Sequence, residues 1–473
     1  MNTEITISVW LFLILAAISI FWVLERVLIP GTRWFLRRKI NRAIDEINTR
    51  LDIRIKPFQL TKRQVLIDRL AYDPEVMEAL EEKARRENIP REVVQNEIIG
   101  YAREIVPSFN AYLYFRIGYW LAKKVARLLY WVRIGLMNSD AFDEVDPDAA
   151  VVFVMNHRSN MDYILVSFLA AEKTTLSYAV GEWAKVWPLQ TLIRALGAYF
   201  VRRKSGNPLY RRVLQRYIQM ATKEGVCQAV FPEGGLSRDG KLNPPKLGVF
   251  DYMLRNFDPA ADRDIIFIPV GINYDRALED RSLLHELDPA AAKRSSWFVI
   301  RTTAGFVWRS LVLMALSRWQ KFGYACVSFG NHLSARNYCN ARNINFAMMG
   351  RAERFGAVEE LANQLVADIE KLVPILPVPL VAAVMLNSRE HWLSAIEVES
   401  AARKYIERLE QEQAPVYIPD DNRVESILYA LETLTLRRFV EQSEGCYRAA
   451  AENIEILQYY ANSLQHWGLS HEN

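Results

Sequence analysis

Cysteine is scarce and scattered. Cys227, Cys326, Cys339 and Cys446 are the only four in 473 residues, and none forms a Cys-x-x-Cys pair. A disulfide framework and a structural zinc site are disfavoured, and a reduced, cytosolic setting fits. The six histidines are dispersed, so the sequence shows no metal-ligand cluster. There is no internal repeat and no low-complexity segment. No long basic stripe with interleaved aromatics stands out, which argues against nucleic acid as a partner. Long apolar runs are few. Ile7 to Leu24 is an uncharged stretch near the lower limit for a membrane-spanning helix.

No basic segment precedes that stretch and no small-residue cleavage site ends it, so it reads as an uncleaved anchor over residues 1–30. The alternative is a helix lying on the membrane or buried in the fold. Net charge is only +4, but it is uneven. Arg26, Arg33, Arg37, Arg38, Lys39, Arg42 and Arg50 face only Asp45 and Glu46 between them. Such a cluster suits an anionic membrane surface and places the rest of the chain in the cytoplasm, on the inner membrane.

Residues 31–140 read as a helical N-terminal region. Glu75 to Glu87 and Glu92 to Val106 are charged and periodic, with Asp73-Pro74 and Pro90 as start signals. Ala111 to Leu136 is more apolar, with Tyr112, Tyr119, Trp120 and Trp131 among its aromatics and Arg116, Lys123, Lys124, Arg127 and Arg133 among its cations. It suits packing on the next domain or a membrane interface. Residues 141–375 alternate apolar strands, at 150–155, 174–180, 197–201, 226–231, 264–271 and 324–329, with helical stretches at 161–171, 184–196, 208–224 and 246–257. That alternation predicts an α/β fold, a sheet covered by helices. Thr303 to Ser317 is apolar and fits an acyl groove, a membrane-surface segment or a core helix. Residues 376–473 predict a helical C-terminal region, at 386–412, 422–441 and 444–466, without recognisable chemistry.

The chemistry concentrates in Val151-Val-Phe-Val-Met-Asn-His157-Arg-Ser-Asn-Met-Asp162-Tyr163. A buried strand ends in a polar loop, and Ser159 or Asn160 can cap the helix that follows. Asp162 in the first turn can fold back on His157, fix its tautomer and leave the other ring nitrogen as a general base. The alternative is a strand-capping histidine and a helix-N-terminal charge. A second stretch, Phe231-Pro-Glu233-Gly234-Gly235-Leu-Ser-Arg238-Asp-Gly-Lys241-Leu-Asn-Pro244-Pro245-Lys246, joins glycines to cations and can offer backbone N–H groups and charge to a phosphate. Its alternative is a solvated turn.

These two stretches resemble blocks I and III of the glycerolipid acyltransferases, and the glycerol-3-phosphate acyltransferase branch above all. Gly197-Ala-Tyr-Phe200-Val-Arg202-Arg203 looks like block II, and Ile268-Pro269-Val-Gly-Ile-Asn-Tyr274 like block IV. The resemblance covers roughly residues 140–390. The region before block I is shorter than in the bacterial enzymes it most resembles.

The resemblance implies a glycerolipid-acyltransferase-like mixed sheet and acyl transfer from a thioester of coenzyme A or acyl carrier protein to the sn-1 hydroxyl of glycerol 3-phosphate, giving lysophosphatidic acid. It implies His157 as base with Asp162 as its orienter, no metal and no cofactor. It assigns Arg202, Arg203, Glu233, Gly234 and Arg238 to the substrate; Lys246 joins them by charge and position. Glu233 suits a substrate hydroxyl or an arginine better than a phosphate. Backbone N–H groups near Gly234 and Gly235 are candidates for the oxyanion. Arg211, Arg212 and Arg216 are candidate docking cations for a carrier protein. The rival readings are a 1-acylglycerol-3-phosphate or other lysophospholipid acyltransferase, and an inactive lipid-binding scaffold.

Overall fold

A computed structural model describes residues 55–137, 145–170, 174–181, 185, 189–202, 205–285, 321–418 and 420–469, with Trp10 and Ser19. Apart from those two, the expected anchor lies outside the described residues, as do the basic cluster after it, Thr303 to Ser317, and Arg203. Among the described residues no helix is long and apolar enough to cross a membrane.

The main sheet is mixed. Its strands are β1 (Trp131–Met137), β2 (Ala150–Met155), β3 (Ser177–Val180), β4 (Tyr199–Phe200), β5 (Gln228–Val230), β6 (Ile265–Tyr274), β7 (Tyr324–Phe329) and β8 (Leu333–Ser334). They lie in the order β1-β7-β6-β2-β5-β3-β4, with β8 on β6. From β6 to β4 all neighbours are parallel; β1 and β7 are parallel to each other and antiparallel to β6.

Every residue of β2 is buried, as a strand covered on both faces requires. Ala150, Val152 and Val154 join a core with the helices Arg63–Ala71, Pro74–Glu87, Arg91–Ile105 and Pro208–Lys223. Val151, Phe153 and Met155 join the opposite core, under the helices Tyr119–Leu129 and Met161–Ala170. Pro269 has no N–H, and it falls between the pairing of β8 at Phe267 and that of β7 from Val270, a place where a ladder tolerates proline. It therefore sits at a break in the ladder.

The expected start signals hold. Asp73 caps the Pro74–Glu87 helix by accepting from Glu75 N, and Asn88 closes it in a left-handed conformation. Two expectations are corrected. The apolar stretch Ala111 to Leu136 is not one helix: it ends at Leu129, and β1 follows as an edge strand paired to β7. The stretch 444–466 is not one helix either. Val440–Ser443 and Cys446–Ala449 form a hairpin over Glu444-Gly445, both at positive φ, and the Ile454–Ala461 helix follows. Around the Pro377–Asn387 helix, buried from Pro377 to Leu386, the C-terminal elements form a third core.

Candidate active site

β2 delivers Asn156 and His157 to the end of the sheet, just past its last residue, Met155. The Asn156 amide locks the exit: its Nδ2 donates to the Ile272 carbonyl at 2.9 Å and its Oδ1 accepts from Ile272 N at 2.8 Å. His157 is 1% exposed and Asp162 is fully buried. His157 Nδ1 donates to Asp162 Oδ2 at 2.9 Å. The same oxygen accepts from Arg158 N at 2.8 Å and Ser159 N at 3.1 Å. The Tyr274 hydroxyl donates to the other oxygen at 2.6 Å. A buried carboxylate with four donors is a satisfied one, and its acceptor-only chemistry fixes the proton on His157 Nδ1.

That leaves His157 Nε2. It is buried and has no hydrogen-bond partner among the described residues. The ring stacks on Phe231 at 4.0 Å and meets Tyr163 edge-on at 5.3 Å, so its plane is held. The arrangement is an oriented imidazole with a free lone pair, able to take a proton from a hydroxyl.

The block III loop is tied to the histidine. Glu233 Oε1 accepts from His157 N at 3.0 Å, and Oε2 accepts from Asn243 N and Nδ2 at 3.2 and 2.9 Å. Burial pushes its carboxyl up from the ordinary range, against these donors. Both Glu233 oxygens are thus engaged within the chain, where a substrate hydroxyl or an arginine was expected. Ser237 N donates to the His157 carbonyl at 2.8 Å. Gly234, at φ +66°, makes room for the Lys246 side chain, which runs across it. Its own N–H donates to the Phe231 carbonyl, which removes one of the two expected oxyanion donors. Arg238 and Lys246 are exposed.

Two family models match the chain in tandem: Acyltransferase over residues 138–273, and the C-terminal region of glycerol-3-phosphate acyltransferase over residues 310–470. The glycerol-3-phosphate acyltransferase of Aeromonas hydrophila is 27% identical over 92% of this chain and 54% of its own length. That of Pseudomonas syringae pv. tomato is 28% identical over 86% and 49%. The chain is similar to these glycerol-3-phosphate acyltransferases along most of its length. It spans about half the length of the curated relatives it matches. A solved 1-acyl-sn-glycerophosphate acyltransferase from Thermotoga maritima aligns with 65% of this chain and 98% of its own, at 15% identity and a TM-score of 0.31.

Arg202 leaves β4 at the same end of the sheet as His157, three strands away, or about 14 Å laterally. Its guanidinium grips Glu104, with Nε at 2.9 and 3.2 Å and Nη2 at 2.6 Å, and Lys185 joins the same carboxylate at 2.6 Å. Arg216 is held by Asp73 and Glu75, and Arg212 reaches Glu75 at 3.4 Å, so the expected docking face on this helix is largely neutralised. Cys227 is buried and its thiol is pushed up to about 12 by burial, in keeping with an inert strand residue.

The motif reading missed several residues. Tyr274 stood inside block IV, but nothing in sequence shows a hydroxyl aimed at Asp162. Glu279 accepts from Ser159 Oγ at 2.7 Å and from Asn160 Nδ2 at 3.0 Å, fixing the loop from the side of β6. Arg158 is buried, donates to the Gly240 carbonyl and lies 4.7 Å over the Tyr459 ring, while Tyr459 donates to the Arg158 carbonyl at 3.2 Å. Partners so distant in sequence give no local signal.

Proposed function

We propose that the protein transfers an acyl group from an acyl thioester to the sn-1 hydroxyl of glycerol 3-phosphate, giving lysophosphatidic acid. The observation that carries this is the buried, unpartnered His157 Nε2, set by the Nδ1 bond to Asp162. The acceptor hydroxyl gives its proton to Nε2 as its oxygen attacks the thioester carbonyl. The tetrahedral intermediate then expels the thiolate, which takes the proton back from the imidazolium. The curated relatives named glycerol-3-phosphate acyltransferase support the acceptor. Arg202, Arg203, Glu233, Gly234, Arg238 and Lys246 are the proposed binding residues for it, with Glu233 acting by holding the loop.

The proposed workplace is the cytoplasmic face of the inner membrane, where the product partitions. Tyr112, Ile117, Trp120 and Leu121 are exposed beside Arg116, Lys123 and Lys124, a pattern suited to an anionic bilayer. The test supplies a labelled long-chain acyl thioester with glycerol 3-phosphate, and separately with lysophosphatidic acid, to wild type and His157→Ala. Histidine-dependent lysophosphatidic acid is the expected result. Phosphatidic acid from the second acceptor alone would move the protein to lysophospholipid acylation. Lipid binding without any product would favour the scaffold.

A further inference from the structure

A second, open site lies at the same end of the sheet. β1 and β7 run opposite to β6 and β2, so their first residues lie where β2 ends. There a groove of about 740 Å³ is lined by Arg127, Trp131, Arg133, Lys321 and Tyr324. Trp131 is well exposed, and its indole meets Tyr324 at 5.5 Å and Tyr429 at 5.6 Å. Arg133 lies 5.2 Å over Tyr324 and Lys321 lies 5.9 Å from the Trp131 ring. None of the three cations makes an ion pair with a described residue. This contrasts with Arg202, Arg212 and Arg216, all of which are paired.

Three cations with no ion pair among the described residues, set around an exposed indole, suit a ligand with phosphates and a flat base. The groove also borders the candidate active site. Tyr130, at its floor, packs 5.3 Å from Tyr274, whose hydroxyl holds Asp162. β1 lies three strand spacings from β2, about 14 Å, a gap that an extended pantetheine arm can bridge. The exposed indole between the cations offers a stacking face that a nucleotide base fills and that a lipid headgroup or an acidic protein surface does not.

We propose that this groove binds the 3′-phosphate and diphosphate of a coenzyme A thioester, with Trp131 stacking on the adenine. The inference deepens the acyl-transfer reading by naming the donor, and rests on it for the thioester. Coenzyme A binding itself needs no turnover, so the two can fail separately.

The full chain is titrated with coenzyme A and with dephospho-coenzyme A, as wild type and as Arg133→Ala/Lys321→Ala. Initial rates are measured with palmitoyl-coenzyme A and glycerol 3-phosphate. The single variant Arg133→Gln, at an exposed edge position, serves if the double variant fails a thermal-melting check. The expected result is coenzyme A binding weakened about tenfold, a factor typical of a lost charge-assisted contact. The affinity gap between the two ligands closes in the variant. The KM for palmitoyl-coenzyme A rises, and that for glycerol 3-phosphate does not. Unchanged coenzyme A affinity overturns the proposal. So does a variant that keeps that affinity but loses binding to phosphatidylglycerol vesicles or to acyl carrier protein. A wild type that binds coenzyme A through these residues but transfers nothing upholds the groove and overturns the acyl-transfer reading instead.

Discussion

At the scale of single residues, the candidate site depends on where two protons sit. Asp162 accepts from His157 Nδ1 and so leaves Nε2 as the basic atom. In Asp162→Asn the amide keeps the shape, but its nitrogen faces the ring as a donor and favours the wrong tautomer. The expected loss in kcat is roughly 10³–10⁴-fold, the size seen where a base loses its orienting carboxylate. Tyr274 acts one step further out. Tyr274→Phe removes a 2.6 Å bond to a buried charge, and kcat should fall about tenfold.

At the scale of elements, the site is a meeting of loops, and Gly240 is where they touch. Its φ is +87°, and a Cβ there would lie 1.9 Å from the Tyr459 carbonyl oxygen. Its own carbonyl receives the Arg158 guanidinium. Gly240→Ala should therefore destabilise the protein by more than about 2 kcal/mol, read as a lower Tm, and should depress turnover as Arg158 loses its seat. Much of the element pattern was legible. β-branched runs such as Val151 to Met155 fix strands, Asp73-Pro74 fixes a helix start, and His157 with Asp162 falls at one strand-to-helix junction. β1 was not legible, because Trp131 to Met137 continues an aromatic, apolar stretch whose period favours neither form until β7 pairs with it. The hairpin around Glu444-Gly445 was hidden by a charged sequence that resembles a surface helix. The commitment of Arg202 to Glu104 was hidden as well, since only the fold brings residues so distant in sequence together.

At the scale of the whole molecule, the C-terminal region is joined to the sheet by buried polar contacts, which no motif announced. Asn273 donates to the Pro374 carbonyl at 2.9 Å, and Asp280 accepts from Tyr460 and Arg437. Asp275 is the sharpest of these joints. It sits just past β6, accepts from Tyr324 N of β7 at 2.7 Å and from Val378 N of the buried C-terminal helix at 2.9 Å, and so ties three parts of the chain. Burial pushes its carboxyl up to about 7, against the pull of those two donors. Between the ordinary carboxyl range and that value the folded protein keeps a proton that the unfolded chain has released. Stability from this group is then full at low pH and declines as pH rises from about 4 to 7, with no further change above. Asp275→Asn cannot titrate, and its amide nitrogen cannot accept, so one of the two N–H groups loses its partner. The variant should be less stable than wild type at low pH. Its Tm should also lack the falling component that wild type shows across that window. Thermal melts at a series of pH values decide it: parallel curves for the two proteins would mean that Asp275 titrates alike in the folded and unfolded chain and that burial does not hold its proton.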